Sequence, residues 1–157
     1  MLSQKAEDYL EAILLIAEEK GYARPRDIAK KLGVRPPSVT EMLLKLSESG
    51  YIEYEKYGEA VLTPQGMSEA GKVKKRHEIF EKLLRMLLVP QDIAGKDACI
   101  LEHNLHHKTN KQISRFVEFV ELFEGGPAFL EHFKAYSEKG KLPKKCKKMG
   151  KQLKNGG

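Results

Sequence analysis

The segment ARPRDIAKKLGVRPPSVTEMLLKLSESG, residues 23–50, decides the fold that we expect for this chain. It predicts a short helix over 24–32, which Gly33 ends, and a second helix that begins at Pro36. Proline is tolerated in the first turn of a helix, and apolar residues recur at helical spacing in both segments. Two helices joined by a tight turn at glycine are typical of a helix-turn-helix.

The residues on both sides of this segment extend the pattern. Before it, apolar residues at helical spacing over 10–17 predict a first helix that ends at Gly21. After it, residues 51–56 and 60–62 are rich in strand formers, and a turn at 57–59 separates them. This alternation predicts a β-hairpin directly after the third helix.

A long helix is expected to follow the hairpin. Thr63 can cap its N-terminus with Pro64 in the first turn, and the helical pattern continues to about Leu88. Three helices, a hairpin and a long helix in this order predict a winged helix-turn-helix, to which we assign residues 1–72. The expected fold class is therefore mainly α.

Three more helices are predicted in the C-terminal half. The first spans about 91–107, the second begins at Thr109 because Thr109 and Gln112 have capping-box spacing, and Pro127 opens the third. The second helix carries an apolar stripe that is larger than one small domain requires, which favours a twofold homodimer over internal packing. The stripe consists of Ile113, Phe116, Val117, Val120 and Phe123. We expect residues 73–138 to form this second, helical domain.

Composition and charge narrow the classes of function. The 157-residue chain has a net charge of +6, but residues 139–157 contain eight lysines and no acidic residue, and we expect a disordered tail there. Residues 24–45 hold six basic and two acidic residues, and this local excess favours a nucleic-acid partner. No run approaches the ~20 apolar residues of a membrane span, and no signal peptide is evident. Two cysteines indicate no disulfide framework, so we expect a cytoplasmic protein without a membrane partner.

The third predicted helix is the candidate reader of double-stranded DNA, with its N-terminal residues leading into the major groove. Arg35 can contact a guanine edge or a phosphate, and the two proline rings suit thymine methyl groups. Lys45, Arg24 and Arg26 are better placed for phosphate contacts, and Lys56 is the one basic residue of an acidic hairpin. The expected DNA-binding residues are Arg24, Arg26, Arg35, Pro36, Pro37, Ser38, Thr40, Glu41, Lys45 and Lys56.

Potential metal ligands occur in three separated clusters, each at a spacing that places its members on one helix face. The clusters are Asp8 with Glu11, His77 with Glu81, and Cys99 with Glu102 and His103. Carboxylate, imidazole and thiolate side chains are ligands for divalent transition metals. Each cluster alone is also explained by a solvated surface or, for Cys99, by a small buried hydrophobe. Their joint occurrence favours a metal site.

Short sequence motifs within residues 4–125 occur in the same order as in a known family, which the chain resembles. They comprise DYLE at 8–11, EEKGYAR at 18–24, DIA at 27–29, SVT at 38–40, YEKY at 54–57, LT at 62–63, RHE at 76–78 and EH at 102–103. The chain resembles the metal-dependent repressors of the diphtheria-toxin-repressor type, and most of all their short manganese-regulator branch. The resemblance implies that residues 73–138 bind metal and dimerise, and that no SH3-like third domain is present. The ligands that it implies are Asp8, Glu11, His77, Cys99, Glu102 and His103, with Glu81 as a further candidate.

The resemblance places this chain between two branches of the family. The manganese-selective branch has a glutamate where this chain has Cys99, and the iron-type branch has a methionine where this chain has Asp8. A second histidine of the iron-type secondary site falls at Gly95. A thiolate favours Fe²⁺, Co²⁺ or Zn²⁺ over Mn²⁺, which prefers oxygen. We therefore expect a divalent transition metal, with Fe²⁺ first, Mn²⁺ second, and Co²⁺ and Zn²⁺ as further candidates.

The sequence thus predicts a metal-dependent DNA-binding transcriptional regulator, and a repressor rather than an activator. Binding of Fe²⁺ or Mn²⁺ would promote binding of a homodimer to a palindromic operator that controls metal-homeostasis genes. No general base or substrate-pocket motif is evident, so we expect neither an enzyme nor a small organic substrate. The alternatives are a metal-independent winged-helix regulator of the MarR-like kind, a regulator that senses thiol oxidation through Cys99, and a small metalloenzyme.

Overall fold

The computed structural model describes residues 2–56, 58–124 and 126–143 of the chain. Within these residues it forms seven helices and one two-stranded antiparallel sheet, which confirms the predicted mainly α fold. The elements are α1 (Gln4–Lys20), α2 (Pro25–Leu32), α3 (Pro36–Glu48), β1 (Ile52–Tyr54), β2 (Ala60–Leu62), α4 (Pro64–Met86), α5 (Gln91–Asn104), α6 (His107–Glu121) and α7 (Ala128–Lys139). The chain divides into two compact units within α4, after Glu78.

The first unit contains one hydrophobic core that α1, α2, α3 and the hairpin share. Helix α1 contributes Tyr9, Leu10 and Ile13 to this core, and each of these side chains is at most 1% exposed. Helices α2 and α3 contribute Ile28 and Leu43, which are fully buried. Burying side chains of this size stabilises the fold by roughly 1.5–3 kcal/mol each. Because α1 and α3 share this core, the positions of the two helices are coupled through packed side chains.

The ends of the first three helices follow from local chemistry. The Ser3 hydroxyl accepts a hydrogen bond from the Ala6 amide at 3.3 Å and caps α1. Gly21 and Gly33 end α1 and α2 with φ values of +82° and +64°, which only glycine adopts at little cost. Pro36 occupies the first turn of α3, as the sequence predicts, and Pro25 occupies the first turn of α2.

The hairpin, which we call the wing, is anchored at both of its ends. The register pairs Ile52 with Leu62 and Tyr54 with Ala60. The hydroxyl of Thr63 donates to the Gly50 carbonyl at 2.7 Å and accepts from an amide in the first turn of α4 at 3.1 Å, which confirms its predicted capping role. The turn predicted at 57–59 includes residue 57, which lies outside the described residues.

The helix boundaries of the second unit differ from those expected from the sequence. Helix α5 ends at Asn104 rather than near residue 107, and α6 begins at His107. The Nδ1 atom of His106 accepts a hydrogen bond from the Lys108 amide at 3.2 Å and caps α6. The expectation that Thr109 caps this helix is therefore wrong. Helix α4 ends at Met86, two residues before the expected end.

The apolar stripe of α6 is only partly buried. Val117 and Val120 are at most 3% exposed, whereas Phe116 and Phe123 are each 45% exposed. Leu122, just after the helix, is 81% exposed. The α6 surface therefore leaves large apolar side chains in solvent, as the expected dimer requires.

The remaining predictions for the C-terminal region are tested only in part. Helix α7 ends at Gly140, which has a φ of +64°. The expected disordered tail falls mostly on 144–157, which lie outside the described residues. In the described part of the chain, no helix is both long and apolar enough to cross a membrane.

Candidate nucleic-acid interface and metal ligands

The N-terminal turn of α3 is the most open part of the candidate DNA-binding surface. Arg35 is the N-cap residue of α3, and its side chain makes no capping hydrogen bond. Arg35, Pro36 and Pro37 are exposed, whereas Val39 and Leu43 on the opposite face are fully buried in the core. The amphipathic pattern of α3 therefore fixes which side chains point outward.

The two hydroxyl residues of this turn are less accessible than the sequence suggested. Ser38 and Thr40 are both half-buried. The Thr40 hydroxyl donates to the carbonyl of Pro36 at 3.4 Å, one turn earlier. Contact between this hydroxyl and a base or phosphate would therefore compete with an internal hydrogen bond.

An ion pair between Lys45 and Glu41 occupies the next turn of α3. The Lys45 Nζ lies 2.7 Å from a carboxylate oxygen of Glu41, and both side chains are more than 60% exposed. This hydrogen bond raises the pKa of the Lys45 ammonium and lowers the pKa of the Glu41 carboxyl. The spacing of four residues is the sequence signal that indicates such a pair. A phosphate contact by Lys45 must therefore compete with Glu41.

A second basic surface lies beside α2. Arg24 and Arg26 are exposed there, and with Lys30 they border an open groove of about 350 Å³. The Arg24 guanidinium stacks over the Tyr22 ring, 4.8 Å from its centre, and its Nη2 lies 3.2 Å from Glu59 of the wing. Lys56, also on the wing, is exposed.

The first unit brings together candidate metal ligands from α1 and α4. Asp8, Glu11 and His77 are half-buried, and potential ligand atoms of Glu11 and His77 lie within 4.8 Å of each other. Two residues 66 positions apart are thus neighbours in space. Glu81 lies one turn beyond His77, but no cluster of three or more potential ligands in the described part of the chain includes it.

Two ion pairs fasten α1 to α4 on either side of these ligands. Arg76 donates to a carboxylate oxygen of Glu7 at 2.7 Å, and Lys74 contacts both oxygens of Glu18 at 2.8 and 2.9 Å. The bond to Glu18 raises the pKa of Lys74. Neither pair is predictable from the sequence, because nothing local indicates contacts between residues more than 50 positions apart.

The second unit carries the remaining candidates on α5. Cys99 and His103 have potential ligand atoms within 4.8 Å of each other, and His103 Nε2 lies 3.4 Å from Glu102 Oε1. Glu102 is 2% exposed and is the one charged residue among the described residues that is buried. Proteins keep a buried carboxylate next to a cation or hydrogen-bond donors, because burying the bare charge is costly.

The donor set fits a divalent transition metal. Carboxylate oxygens, imidazole nitrogens and one thiolate are present, and a cation bound beside the buried Glu102 would offset the charge of its carboxylate. Four carboxylates among the candidates argue against a closed tetrahedral structural zinc site, which prefers cysteine and histidine. The side chains therefore suit an ion such as Mn²⁺ or Fe²⁺.

Two family models match the chain. Residues 1–60 match the family described as iron dependent repressor, N-terminal DNA binding domain. Residues 63–125 match the family described as iron dependent repressor, metal binding and dimerisation domain. Together the two matches cover most of the chain.

Curated relatives carry the name HTH-type transcriptional regulator MntR. The protein from Bacillus pumilus (strain SAFR-032) is 40% identical over 121 residues, which cover 77% of this chain and 84% of the relative. The protein from Bacillus subtilis (strain 168) is 38% identical over 139 residues, which cover 88% of this chain and 96% of the relative.

Solved structures of other proteins share this fold. The structure of T. acidophilum IdeR has a TM-score of 0.62 and 31% identity and covers 70% of this chain. A structure titled manganese-dependent transcriptional repressor complex with manganese has a TM-score of 0.64 and 27% identity and covers 73% of this chain. The matched part spans 53% of each of those solved chains.

Proposed function

The chain belongs to the iron-dependent repressor family, and we propose that it represses metal-homeostasis genes when Mn²⁺ is bound. As a member it is a metal-dependent, DNA-binding transcriptional regulator that forms a homodimer. The observation that carries the proposal lies in the first unit, where α1 bears candidate ligands and shares one core with α3. We propose that it works in the cytoplasm as a regulator without enzymatic activity.

The proposed DNA contacts are assigned from the side chains that are exposed on the first unit. Arg35, Pro36 and Pro37 would contact base edges in the major groove, supported by their position at the exposed start of α3. The further residues proposed to face DNA in the first two turns of α3 are Ser38, Thr40 and Glu41. The phosphate contacts would come from the surrounding basic residues, which are Arg24, Arg26, Lys45 and Lys56.

The proposed metal ligands are Asp8, Glu11, His77, Cys99, Glu102 and His103. Glu81 is the weaker candidate, because it belongs to none of the clusters of potential ligands among the described residues. A bound divalent cation would supply positive charge that offsets the charge of the carboxylates it contacts. Glu11 and His77 would then hold α1 in one position against α4. Since α1 and α3 share a core, this position is transmitted to the exposed turn of α3.

We propose Mn²⁺ ahead of Fe²⁺ as the activating metal. The Fe²⁺ preference expected from the thiolate of Cys99 finds no support in the relatives, among which solved structures are titled as manganese regulators. The family description itself names iron, so Fe²⁺ is the competitor to test. The donor set contains oxygen ligands for Mn²⁺ and a thiolate that favours Fe²⁺.

We expect micromolar Mn²⁺ to switch on DNA binding by the full chain. The DNA probe is a duplex selected from a random pool in the presence of Mn²⁺, and binding is followed by fluorescence anisotropy during anaerobic titration with each metal. The Cys99→Glu variant is the matched control and should increase the preference for Mn²⁺ over Fe²⁺. Activation by Fe²⁺ alone would contradict the metal assignment, and equal binding without metal would contradict the proposed function.

The Arg35→Gln variant should weaken binding to the selected duplex by about tenfold, because a bidentate contact to guanine is worth about 1–3 kcal/mol. Its binding to DNA of arbitrary sequence should change much less. Arg26→Gln is the comparison variant, since loss of a phosphate contact weakens binding to both duplexes by a similar factor. Equal losses for Arg35→Gln on both duplexes would show that Arg35 contacts only the backbone.

A further inference from the structure

The wing carries an acidic residue in direct contact with a proposed phosphate-binding residue. Glu59 Oε1 lies 3.2 Å from Arg24 Nη2, although the two residues are 35 positions apart. Arg24 is also stacked over the Tyr22 ring, with a distance of 4.8 Å to its centre. The guanidinium is thus held between an aromatic face and a carboxylate.

The backbone fixes this arrangement. The amide of Ala60 donates a hydrogen bond to the carbonyl of Ala23 at 2.8 Å. Glu59 and Arg24 are the chain neighbours of these two residues, and Ala23 and Ala60 are both at most 2% exposed. The ion pair therefore joins two side chains whose backbones are already held together, so forming it costs the freedom of the two side chains but little further backbone entropy.

Arg24 differs in this respect from the other cations of the groove beside α2. Arg26 and Lys30 border the same groove, and within the described part of the chain neither has an ion-pair partner, because Asp27, which also lines the groove, pairs with Lys20 at 2.6 Å. Their charges are available to a DNA backbone as they stand. Arg24 reaches a phosphate only if its contact with Glu59 opens or if the Glu59 carboxylate approaches the phosphate, and both are unfavourable.

We propose that Glu59 competes with DNA phosphates for Arg24 and so lowers the affinity of this regulator for DNA of arbitrary sequence. The proposal rests on the proposed function to the extent that Arg24 faces DNA. The base-reading turn of α3 does not take part in the contact, so the effect falls on the sequence-independent part of binding. An acidic residue on a DNA-binding surface then has a function of its own, because it limits non-specific binding.

The test measures binding of the full chain to a duplex of arbitrary sequence, about 25 base pairs long, over a series of salt concentrations. Glu59→Gln should increase the affinity at low salt by about threefold, as expected for the loss of an exposed ion pair. The slope of log affinity against log salt should become steeper by about one unit, because one more phosphate contact forms. Glu59→Ser serves as a second variant with the same expectation, and thermal melting checks that each variant folds.

Two controls separate the pair from a general charge effect. Glu53→Gln removes one negative charge from the exposed face of the same wing, where Glu53 has no ion-pair partner among the described residues, and should change the affinity and slope less. In the Arg24→Gln background, Glu59→Gln should have no effect on the slope. Equal gains for Glu53→Gln and Glu59→Gln, or a gain that persists without Arg24, would overturn the proposal. The assay uses neither operator nor metal, so its result is independent of whether metal switches operator binding.

Discussion

We expect the Glu102→Gln variant to lose metal-dependent DNA binding while it keeps its fold. The Glu102 side chain is fully buried on α5, and its carboxylate lies 3.4 Å from His103 Nε2. Glutamine has nearly the same shape but carries no charge, so the variant retains the packing and loses the proposed ligand. At a Mn²⁺ concentration a hundred times the Kd of the unaltered protein, affinity for the selected duplex should fall about a hundredfold, since metal at that concentration stabilises the ligated form by about 2.7 kcal/mol.

Two measurements make this prediction specific. Titration calorimetry should show weaker Mn²⁺ binding by Glu102→Gln, and the melting temperature without metal should stay the same or rise, because a buried amide costs less than a buried charge. Glu81→Gln is the matched control on α4 and should retain Mn²⁺ activation. Full activation of Glu102→Gln by Mn²⁺ would show that Glu102 is not a ligand, and an equal loss in Glu81→Gln would place Glu81 among the ligands.

The Gly66→Ala variant should destabilise the first unit by about 3 kcal/mol, at the upper end of overpacking effects. A Cβ atom at position 66 would lie 1.8 Å from the carbonyl oxygen of Tyr51 and 3.2 Å from a methyl group of Leu62. The first of these is a backbone atom, so α4 would have to move away from the wing. That movement would also break the capping bond between Thr63 and the Gly66 amide. The decrease in the free energy of unfolding is measured by chemical denaturation, which circular dichroism monitors.

Gly71→Ala is the control for this substitution, because it lies on the same helix and a Cβ there meets nothing within 4 Å. It should stabilise the protein by about 0.5–1 kcal/mol through helix propensity and reduced freedom of the unfolded chain. A small loss in Gly66→Ala, close to the effect at position 71, would mean that the backbone adjusts without cost. The sequence gives no sign of the difference between the two glycines.

Most of the first unit could be predicted from the sequence, because the boundaries of its helices have local causes. Pro36 marks a helix start, Gly21 and Gly33 mark helix ends, and Thr63 caps α4. The exposure of the first turn of α3 also followed from the apolar pattern of that helix. The start of α6 was wrong because a histidine side chain supplied the cap, which is less common than a cap by serine or threonine.

The candidate metal site was predictable only one helix at a time. Spacings of three and four residues placed Asp8 beside Glu11 and Cys99 beside Glu102 and His103 on single helix faces. The sequence could not show that Glu102 is buried, or that Glu11 and His77 are close together. Burial depends on what packs against a helix, and helical periodicity identifies a face without identifying its partner.

The sequence by itself therefore determined the elements, their order and the residue types available for binding DNA and metal. Only the tertiary structure decided which charges compensate each other, as in the contacts of Arg24 with Glu59 and of Arg76 with Glu7. It also decided that Gly66 must lack a side chain where α4 meets Tyr51. The physical reason is distance along the chain. Caps, turns and periodicity act within a few residues, whereas ion pairs and close backbone contacts join residues that only the folded core brings together.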